Sequence, residues 1–540
     1  FERAMTPLTV FITFPSAPII RGGIGFQASN QVSLVVSRVV APPGHEGQLR
    51  RILDVLSEGI GFVLALAACV PLLVALVGTA ARVNARVTAL LALVSGCLIA
   101  AFLFPQPFAP LWGSFLGMLP TLAEVLCIIL GGLMLSRILD AAGAPAHIAK
   151  WCEHASSHRS SAALLVVLGI ESFCESVTGF GVGVTIAVPI LRHLGFSALS
   201  SATMAMLGLV VTVWGGLSPG TIVAAELAGL DVTQLGIDTA WTVWPSAVVA
   251  GLAVVWIAHP SARPGHLHLV EGAFTGLILA FGILLANMTV GTPLAGAIGS
   301  LITVVALLIR FRLGGDRTPK PPAALVRSAV PYAILIGGLL PLNVAFRLAQ
   351  ITGPLHLLAS PALWLLLVSA ISVAWFAFPR SEVRAVVART LHAWRPVAFL
   401  TTGYMVLGWL LTASGMSETI ADAAARLGVG AVALVPVFGA VGGFLTGSNT
   451  GANAMFAGAV AHLGTVLGLS PSGIVGATSQ AGAIGSAASP ARIALAAGLS
   501  TEERAERDAL MRALLPRMIL FNLLTIVSIA GIVLLGALWR

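Results

Sequence analysis

A nearly unbroken series of apolar runs, each roughly 17 to 25 residues long, begins at Gly61 and limits what this chain can fold into. Runs of that length match the thickness of a lipid bilayer. Of the 540 residues, 57% are hydrophobic and 9% are charged, and the mean hydropathy is +0.98. A soluble domain cannot bury so much apolar surface. The sequence therefore predicts an all-α polytopic membrane protein with about 12–14 transmembrane or re-entrant helices.

The positive charge of the chain lies mainly between the apolar runs. The net charge is +8 and the pI is about 10.0, which by themselves are also typical of nucleic-acid binding. In membrane proteins, however, Lys and Arg concentrate in cytoplasmic loops. We therefore predict a multi-pass protein of the cell (plasma) membrane, in contact with lipid and without a nucleic-acid partner. The predicted cytoplasmic clusters are residues 82–86, 137–159, 310–327, 380–395 and 504–517.

Three boundaries divide the chain. Residues 1–55 hold no spanning run and are rich in Ser, Pro and Gly, so we predict a poorly ordered N-terminal extension. The remainder is predicted to consist of a first transmembrane half (56–310), a cytoplasmic basic linker (311–327) and a second transmembrane half (328–540). The sequence gives no oligomeric state.

Two carboxylates interrupt one of the apolar runs. Glu171 and Glu175 are four residues apart, so on a helix both lie on one face. The helical pattern is then broken by four residues, namely Thr178, Gly179, Phe180 and Gly181. Irregular backbone at membrane depth persists only where protein or a water-filled cavity satisfies its polar groups. This stretch is therefore predicted to belong to a binding site.

The two acids suggest proton coupling. A carboxyl group in a low-dielectric environment favours its neutral form, and a second acid one turn away adds repulsion. We predict that Glu175 carries a proton and that Glu171 shares it. Alternatively, Glu175 caps the backbone at the break, and Glu171 faces an aqueous opening.

A second polar stretch lies in the other half and carries no charge. Residues 428–491 contain no Asp, Glu, Lys or Arg. Backbone N–H and hydroxyl groups at a broken helix are typical of anion binding, whereas close packing of small residues is the alternative. The predicted substrate-binding residues here are Thr446, Gly447, Ser448, Asn449, Thr450 and Asn453.

The two polar stretches repeat one order of motifs. Thr178-Gly179 is followed by LGFS (194–197) and by Ser218-Pro219, and Thr446-Gly447 is followed by LGLS (467–470) and by Ser489-Pro490. Two halves that each carry a broken segment predict a secondary transporter built from inverted repeats with broken helices near the bilayer midplane.

These motifs resemble those of the L-lactate permease family, whose members transport lactate and glycolate with protons. The family's Glu-x-x-x-Gly-Phe-Gly element matches residues 175–181, and its TGS-x-T-x-x-N element matches residues 446–453. The late Ser-Pro element matches Ser489 and Pro490, and Ser489 is predicted to belong to the substrate-binding site. The resemblance covers roughly residues 60–540 and implies the same fold and a proton-coupled monocarboxylate substrate.

The chain departs from the family pattern at charged positions. Asn449 stands where the family usually has Asp, and Ser486 stands where it usually has Lys. Glu171, Arg192 and Arg492 are additions to the pattern. Arg492 is predicted either to neutralise a substrate carboxylate or to reach a membrane interface.

Together these observations predict a secondary active transporter for a small organic monocarboxylate of the lactate or glycolate type, coupled to protons and without a cofactor. Two alternatives remain within transport: an exchanger, or a sodium-coupled carrier for another organic anion. A membrane-embedded enzyme is a further alternative from a different class. The sequence shows no cluster of His, Cys or acidic residues with the spacing of metal ligands or of a catalytic triad.

Overall fold

A computed structural model of the chain describes residues 46–81, 83–152, 156, 158–259, 263–315, 320–351 and 354–538. The chain divides into two units, Phe1–Gly59 and Ile60–Arg540, and the architecture below is that of the second unit. The extension predicted over 1–55 lies outside the described residues as far as residue 45. The linker predicted over 311–327 is described except for 316–319.

The described residues form helices and no strand. The helices of the first half are α1 (Glu46–Ala80), α2 (Ala85–Leu103), α3 (Phe108–Ala141), α4 (Ala144–Cys152), α5 (Arg159–Leu164), α6 (Ser172–Thr178), α7 (Val182–His193), α8 (Ala198–Leu207), α9 (Pro219–Ala228), α10 (Val232–Ala240), α11 (Trp244–Ala258), α12 (His266–Thr289) and α13 (Thr292–Leu313). Those of the second half are α14 (Ala323–Leu348), α15 (Pro361–Trp375), α16 (Arg380–Ala413), α17 (Met416–Ala425), α18 (Val429–Thr446), α19 (Asn449–Val466), α20 (Pro471–Ala487), α21 (Pro490–Ser500) and α22 (Arg504–Leu538). Helical segments of other pitch are a π segment (Leu165–Glu171) and two 3-10 segments (Gly208–Trp214 and Pro354–Ala359).

Nine helical stretches within the described residues are long and apolar enough to cross a membrane. Two further pairs, α8 to α9 and α10 to α11, are bent by 44° and 46° at a short break. Shorter apolar helices include α7 and α15. The predicted all-α polytopic architecture of spanning and re-entrant helices is confirmed.

Two basic stretches expected to be loops are partly helical. Residues 380–395 form the first half of α16, because Pro379 precedes the helix and Arg favours helical backbone. Residues 144–152 within the cluster 137–159 form α4. The basic clusters therefore did not predict the secondary structure of these two stretches.

Helices near the centre of the molecule differ sharply in exposure from those at the outside. In the stretch Arg159–Thr178, 94% of the apolar window is buried, against 22% in the helix of residues 58–80. The outer helices expose large apolar side chains such as Phe102 and Val527. Lipid covers such side chains in a membrane protein, so the broken segments lie inside a ring of lipid-facing helices.

The two motif series adopt equivalent structures. We call residues 159–193 the first hairpin, with its tip at 179–181, and residues 429–466 the second hairpin, with its tip at 447–448. Each arm ends at the Thr of a Thr-Gly pair, and Gly179 and Gly447 follow with φ of 69° and 64°. Each later Ser-Pro pair begins a helix, α9 or α21.

The basic clusters predict that the hairpins enter from opposite sides of the membrane. The first begins at Arg159, at the end of a basic cluster. The second begins at residue 429, after the short helix α17 and the 34-residue helix α16, which has its own basic start at Arg380. Because basic clusters concentrate on the cytoplasmic side, we expect the two hairpins to be inverted with respect to each other.

Candidate functional site

The tip of the first hairpin is a tight turn of three residues with positive φ: Gly179, Phe180 and Gly181, at 69°, 58° and 83°. A Cβ at Gly179 would lie 2.9 Å from the backbone nitrogen of Gly216, so this position needs glycine. Phe180 has a side chain and still adopts the left-handed region, which costs energy and is typical of functional sites. The surrounding packing therefore holds the tip in a defined shape.

Glu175 lies just inside this tip and contacts three groups. Its Oε2 accepts hydrogen bonds from the backbone N–H of Gly181 (3.0 Å) and of Gly183 (3.3 Å) at the start of α7. Its Oε1 lies 3.1 Å from Nη1 of Arg492. The Glu175 side chain is fully buried, and that of Arg492 is 11% exposed. The carboxyl group of Glu175 is therefore held between two backbone donors and a cation.

Glu171 is the acid that lacks such partners. It ends the π segment and is fully buried, and neither carboxyl oxygen has a hydrogen-bond partner in the described part of the chain. Two glycines make room for it: a Cβ at Gly208 would overlap its carboxyl carbon, and a Cβ at Gly183 would lie 2.9 Å from its Cγ. A buried carboxylate without donors or a cation is very costly. The neutral acid is therefore the form that this pocket accommodates.

The tip of the second hairpin presents the start of a helix. α18 ends at Thr446, Gly447 reverses the chain, and the Ser448 hydroxyl accepts from the N–H of Gly451 at the start of α19. The first N–H groups of a helix have no partner within it. The N–H groups of Asn449 and Thr450 therefore form a potential anion-binding end.

This end of α19 meets the start of α9. A Cβ at Gly220 would lie 3.0 Å from Nδ2 of Asn449 and 3.3 Å from the backbone nitrogen of Thr450. Asn453 donates from Nδ2 to the Gly220 carbonyl (2.9 Å) and to the Ser479 hydroxyl (3.0 Å). Asn449 also donates to the Ser479 hydroxyl, at 3.3 Å. We call this contact of α19 with α9 the uncharged crossing.

The contact of α21 with the first hairpin is its counterpart, and we call it the charged crossing. α21 packs on α7, and its Arg492 pairs with Glu175 of the preceding helix α6. α21 begins at Pro490, and the Ser489 hydroxyl accepts from the backbone N–H of Arg492 at 3.4 Å. This cap fixes the first turn of α21, from which Arg492 reaches Glu175. An ion pair thus joins the first hairpin to the last motif of the second half.

A cavity of about 250 Å³ lies between the two hairpin tips. It brings together eight of the predicted site residues, which are Glu175, Phe180, Thr446, Gly447, Ser448, Asn449, Thr450 and Arg492. The other six predicted residues support its wall from behind: Glu171, Thr178, Gly179, Gly181, Asn453 and Ser489. Segments distant in sequence therefore line one cavity.

Sequence reasoning missed several lining residues. Thr212, Gly215 and Gly220 belong to the bent pair α8–α9, and the Gly215-Gly216 pair just before Ser218-Pro219 was a usable signal. Thr401 and Tyr404 lie in the long helix α16. They carry no sequence signal, because a hydroxyl within an apolar span faces either lipid, a neighbouring helix or a cavity.

Broken repeats whose tips line a common cavity are typical of membrane transporters. The model of the L-lactate permease family matches residues 63–318 and 339–535, so the chain belongs to that family.

The named relatives of this chain agree with its membership of this family. An L-lactate permease of Halalkalibacterium halodurans is 24% identical over 80% of this chain and 90% of its own length. The glycolate permease GlcA of Escherichia coli is 24% identical over 80% and 89%. An L-lactate permease of Streptococcus iniae is 24% identical over 64% and 78%. Among solved structures, the Alcanivorax borkumensis YdaH transporter matches at a TM-score of 0.44 and 15% identity, covering 79% of this chain and 87% of its own.

Proposed function

We propose that this protein is a secondary active transporter that moves a small organic monocarboxylate, of the lactate or glycolate type, together with protons. The observation that carries the proposal is Arg492, a single cation on the wall of a small internal cavity otherwise lined mainly by neutral groups. The names of the relatives, L-lactate permease and glycolate permease, support this substrate class.

The substrate carboxylate would bind between Arg492 and the start of α19. Arg is suited to bidentate recognition of carboxylates, and the free N–H groups of Asn449 and Thr450 add donors and the positive end of a helix dipole. Hydroxyl groups of Ser448 and Thr450 lie on the same wall. Because the lining residues include one cation, the site favours an anion with one carboxylate.

The acids of the first hairpin would supply the coupling. Glu175 lines the cavity, and Glu171 lies fully buried behind it. Carboxyl groups buried in membrane proteins are typical of proton pathways. Alternating access would follow from movement of one repeat against the other.

Coupling to sodium is the second candidate. Oδ1 of Asn449 and Oδ1 of Asn453 are buried and accept no hydrogen bond in the described part of the chain. Neutral oxygens of this kind are suitable ligands for a hard cation. The positive ends of α9 and α19 at the same place oppose a cation, so we favour protons.

Uptake of labelled L-lactate and glycolate into proteoliposomes tests the proposal. We expect accumulation when the outside is more acidic than the lumen, with no change when choline replaces sodium. Competition by unlabelled 2-hydroxymonocarboxylates should exceed that by dicarboxylates. Uptake that needs sodium and ignores the pH gradient would support the second candidate, and no uptake of any monocarboxylate would refute both.

A further inference from the structure

The charged crossing contains one cation that two anions can share. Arg492 donates to Glu175 and at the same time lines the cavity in which a substrate carboxylate would bind. Glu175 keeps two backbone donors, Gly181 and Gly183, that do not depend on Arg492. Arg492 can therefore move away from Glu175, because the carboxyl group still accepts hydrogen bonds from these two backbone donors.

The charges of the lining residues determine whether a substrate carboxylate can bind in the cavity by itself. Glu175 and Arg492 are the acidic and basic residues among those that line the cavity, and as an ion pair they carry no net charge. A bound carboxylate would add one negative charge to a buried, low-dielectric site. Such a charge is strongly disfavoured unless a cation or a proton accompanies it.

Few groups near Glu175 can accept that proton. The titratable side chains that face it are Arg492 from α21, Glu171 from the π segment and the adjacent Cys174, whose thiol faces Tyr332. Residues 208–214 pack on this helix and include no titratable side chain, and α13 carries Arg310 and Arg312 only in its last turn. α3 packs on the same helix through Gly132, beside the Thr178 carbonyl, and its titratable residues are Glu124, Arg137 and Asp140. Glu171 has no donor or cation to stabilise an ionised form, so it is already neutral and cannot take up another proton.

We propose that substrate binding transfers Arg492 from Glu175 to the substrate carboxylate, and that Glu175 then takes up the co-transported proton while Glu171 stays neutral. This inference rests on the proposed function. An O–H bond forms on Glu175 with a proton from hydronium in the more acidic solution, whose own O–H bond breaks to leave water. The ion pair of Arg492 with Glu175 is replaced by one with the substrate. The net charge of the site is zero before and after. Uptake is therefore electroneutral, with one proton for each carboxylate.

The decisive variant is Glu175→Gln, which keeps the size of the side chain and mimics its protonated form. In wild-type proteoliposomes we expect lactate uptake to acidify the lumen and to be independent of membrane potential. In Glu175→Gln we expect no acidification, because Arg492 binds the anion with no proton to accompany it. Accumulation should instead follow an inside-positive potential, by on the order of 10-fold for each 60 mV.

Two further variants serve as comparisons. Glu124→Gln makes the same change at another membrane glutamate, one that accepts from Ser360 at 2.7 Å and lies outside the cavity lining, and it should behave as wild type. Glu171→Gln should keep one-to-one coupling, because glutamine carries the same charge as the neutral acid. Lumen acidification by Glu175→Gln, or its loss in Glu171→Gln alone, would overturn the assignment.

A measurement on the wild type does not depend on how any variant folds. Calorimetric titration with lactate in buffers of different ionisation enthalpy counts the protons taken up on binding. We expect about one proton per substrate when most of Glu175 is ionised in the free protein. Binding without proton uptake would refute the transfer of Arg492, although the transport function would stand. Absence of binding and uptake in the wild type would instead refute the proposed function.

Discussion

The two crossings occupy equivalent places in the two repeats, yet different forces hold them together. α7 and α19 each follow a hairpin tip, and α21 and α9 each follow a Ser-Pro pair. At the charged crossing, Glu175 and Arg492 form a buried ion pair. At the uncharged crossing, Asn449 and Asn453 bind the Ser479 hydroxyl and the Gly220 carbonyl. The same backbone arrangement is therefore used once with charge and once without.

This difference indicates at which crossing a substrate carboxylate can replace an existing contact. A carboxylate substrate competes directly with Glu175 for Arg492, because both are anions that bind a guanidinium in the same way. It cannot displace the amide contacts of the uncharged crossing without breaking the two hydrogen bonds that Asn453 donates to the Gly220 carbonyl and the Ser479 hydroxyl. We infer that the charged crossing changes during transport and that the uncharged crossing stays closed around the anion.

The largest effect should come from Arg492→Gln. Removing one partner of a buried ion pair costs about 3–5 kcal/mol, so uptake should fall by roughly 100-fold or more. Arg192→Gln is the matched control, since Arg192 lies at the exposed far end of α7 and donates to the Phe196 carbonyl at 2.9 Å. The initial rate of lactate uptake is measured for both variants. Wild-type rates in Arg492→Gln would mean that the charged crossing does not bind the substrate.

Gly220→Ala tests the uncharged crossing. The added Cβ would lie 3.0 Å from Nδ2 of Asn449 and 3.3 Å from the nitrogen of Thr450, which forces α9 and α19 apart. Overpacking of this kind costs about 1–3 kcal/mol, and we expect roughly 10-fold slower uptake. Gly117→Ala in α3 is the control, because a Cβ there meets no atom within 4 Å. Equal uptake by the two variants would contradict close packing at this crossing.

Asn453→Ala should separate stability from coupling. Loss of its amide leaves the Gly220 carbonyl without that donor, which should lower the free energy of unfolding by about 1–3 kcal/mol. Transport should stay electroneutral, since no charge changes. Thermal unfolding in detergent and lumen acidification are the two readouts. Asn343→Ala, whose amide donates to the Leu339 carbonyl of its own helix, is the control. Electrogenic uptake by Asn453→Ala would show that the uncharged crossing takes part in coupling.

The smallest effect should come from the two Ser-Pro serines. Ser489 caps α21 at Arg492, whereas Ser218 has positive φ (73°), caps no helix and donates to the Thr292 carbonyl. Loss of an N-cap costs about 0.5–2 kcal/mol. We expect Ser489→Ala to raise the KM for lactate a few-fold and Ser218→Ala to change it less. The reverse order would mean that the cap does not position Arg492.

Local sequence patterns predicted much of the fold. Apolar runs of bilayer length predicted the spanning helices, because a helix in lipid must satisfy its own backbone and cover itself with apolar side chains. Glycines at 179 and 447, where φ is positive, predicted the breaks between the hairpin arms. The shared order of Thr-Gly, LG-x-S and Ser-Pro predicted the inverted repeats.

The site was only partly readable. Glu175 and the 446–453 stretch stood out because polar residues are rare in apolar runs. Tyr404 and Thr401 did not, since no pattern in α16 tells which face meets the cavity.

The sequence by itself determined that this chain is a membrane protein of two inverted halves, because hydropathy and glycine placement act locally. Only the tertiary structure decided which groups surround each acid. Glu171 and Glu175 look alike in sequence, one turn apart in the same apolar stretch. Folding brings Arg492 from more than 300 positions away to Glu175 and surrounds Glu171 with glycines. Ionisation depends on such neighbours within a few ångströms in space, and the order of residues along the chain does not specify them.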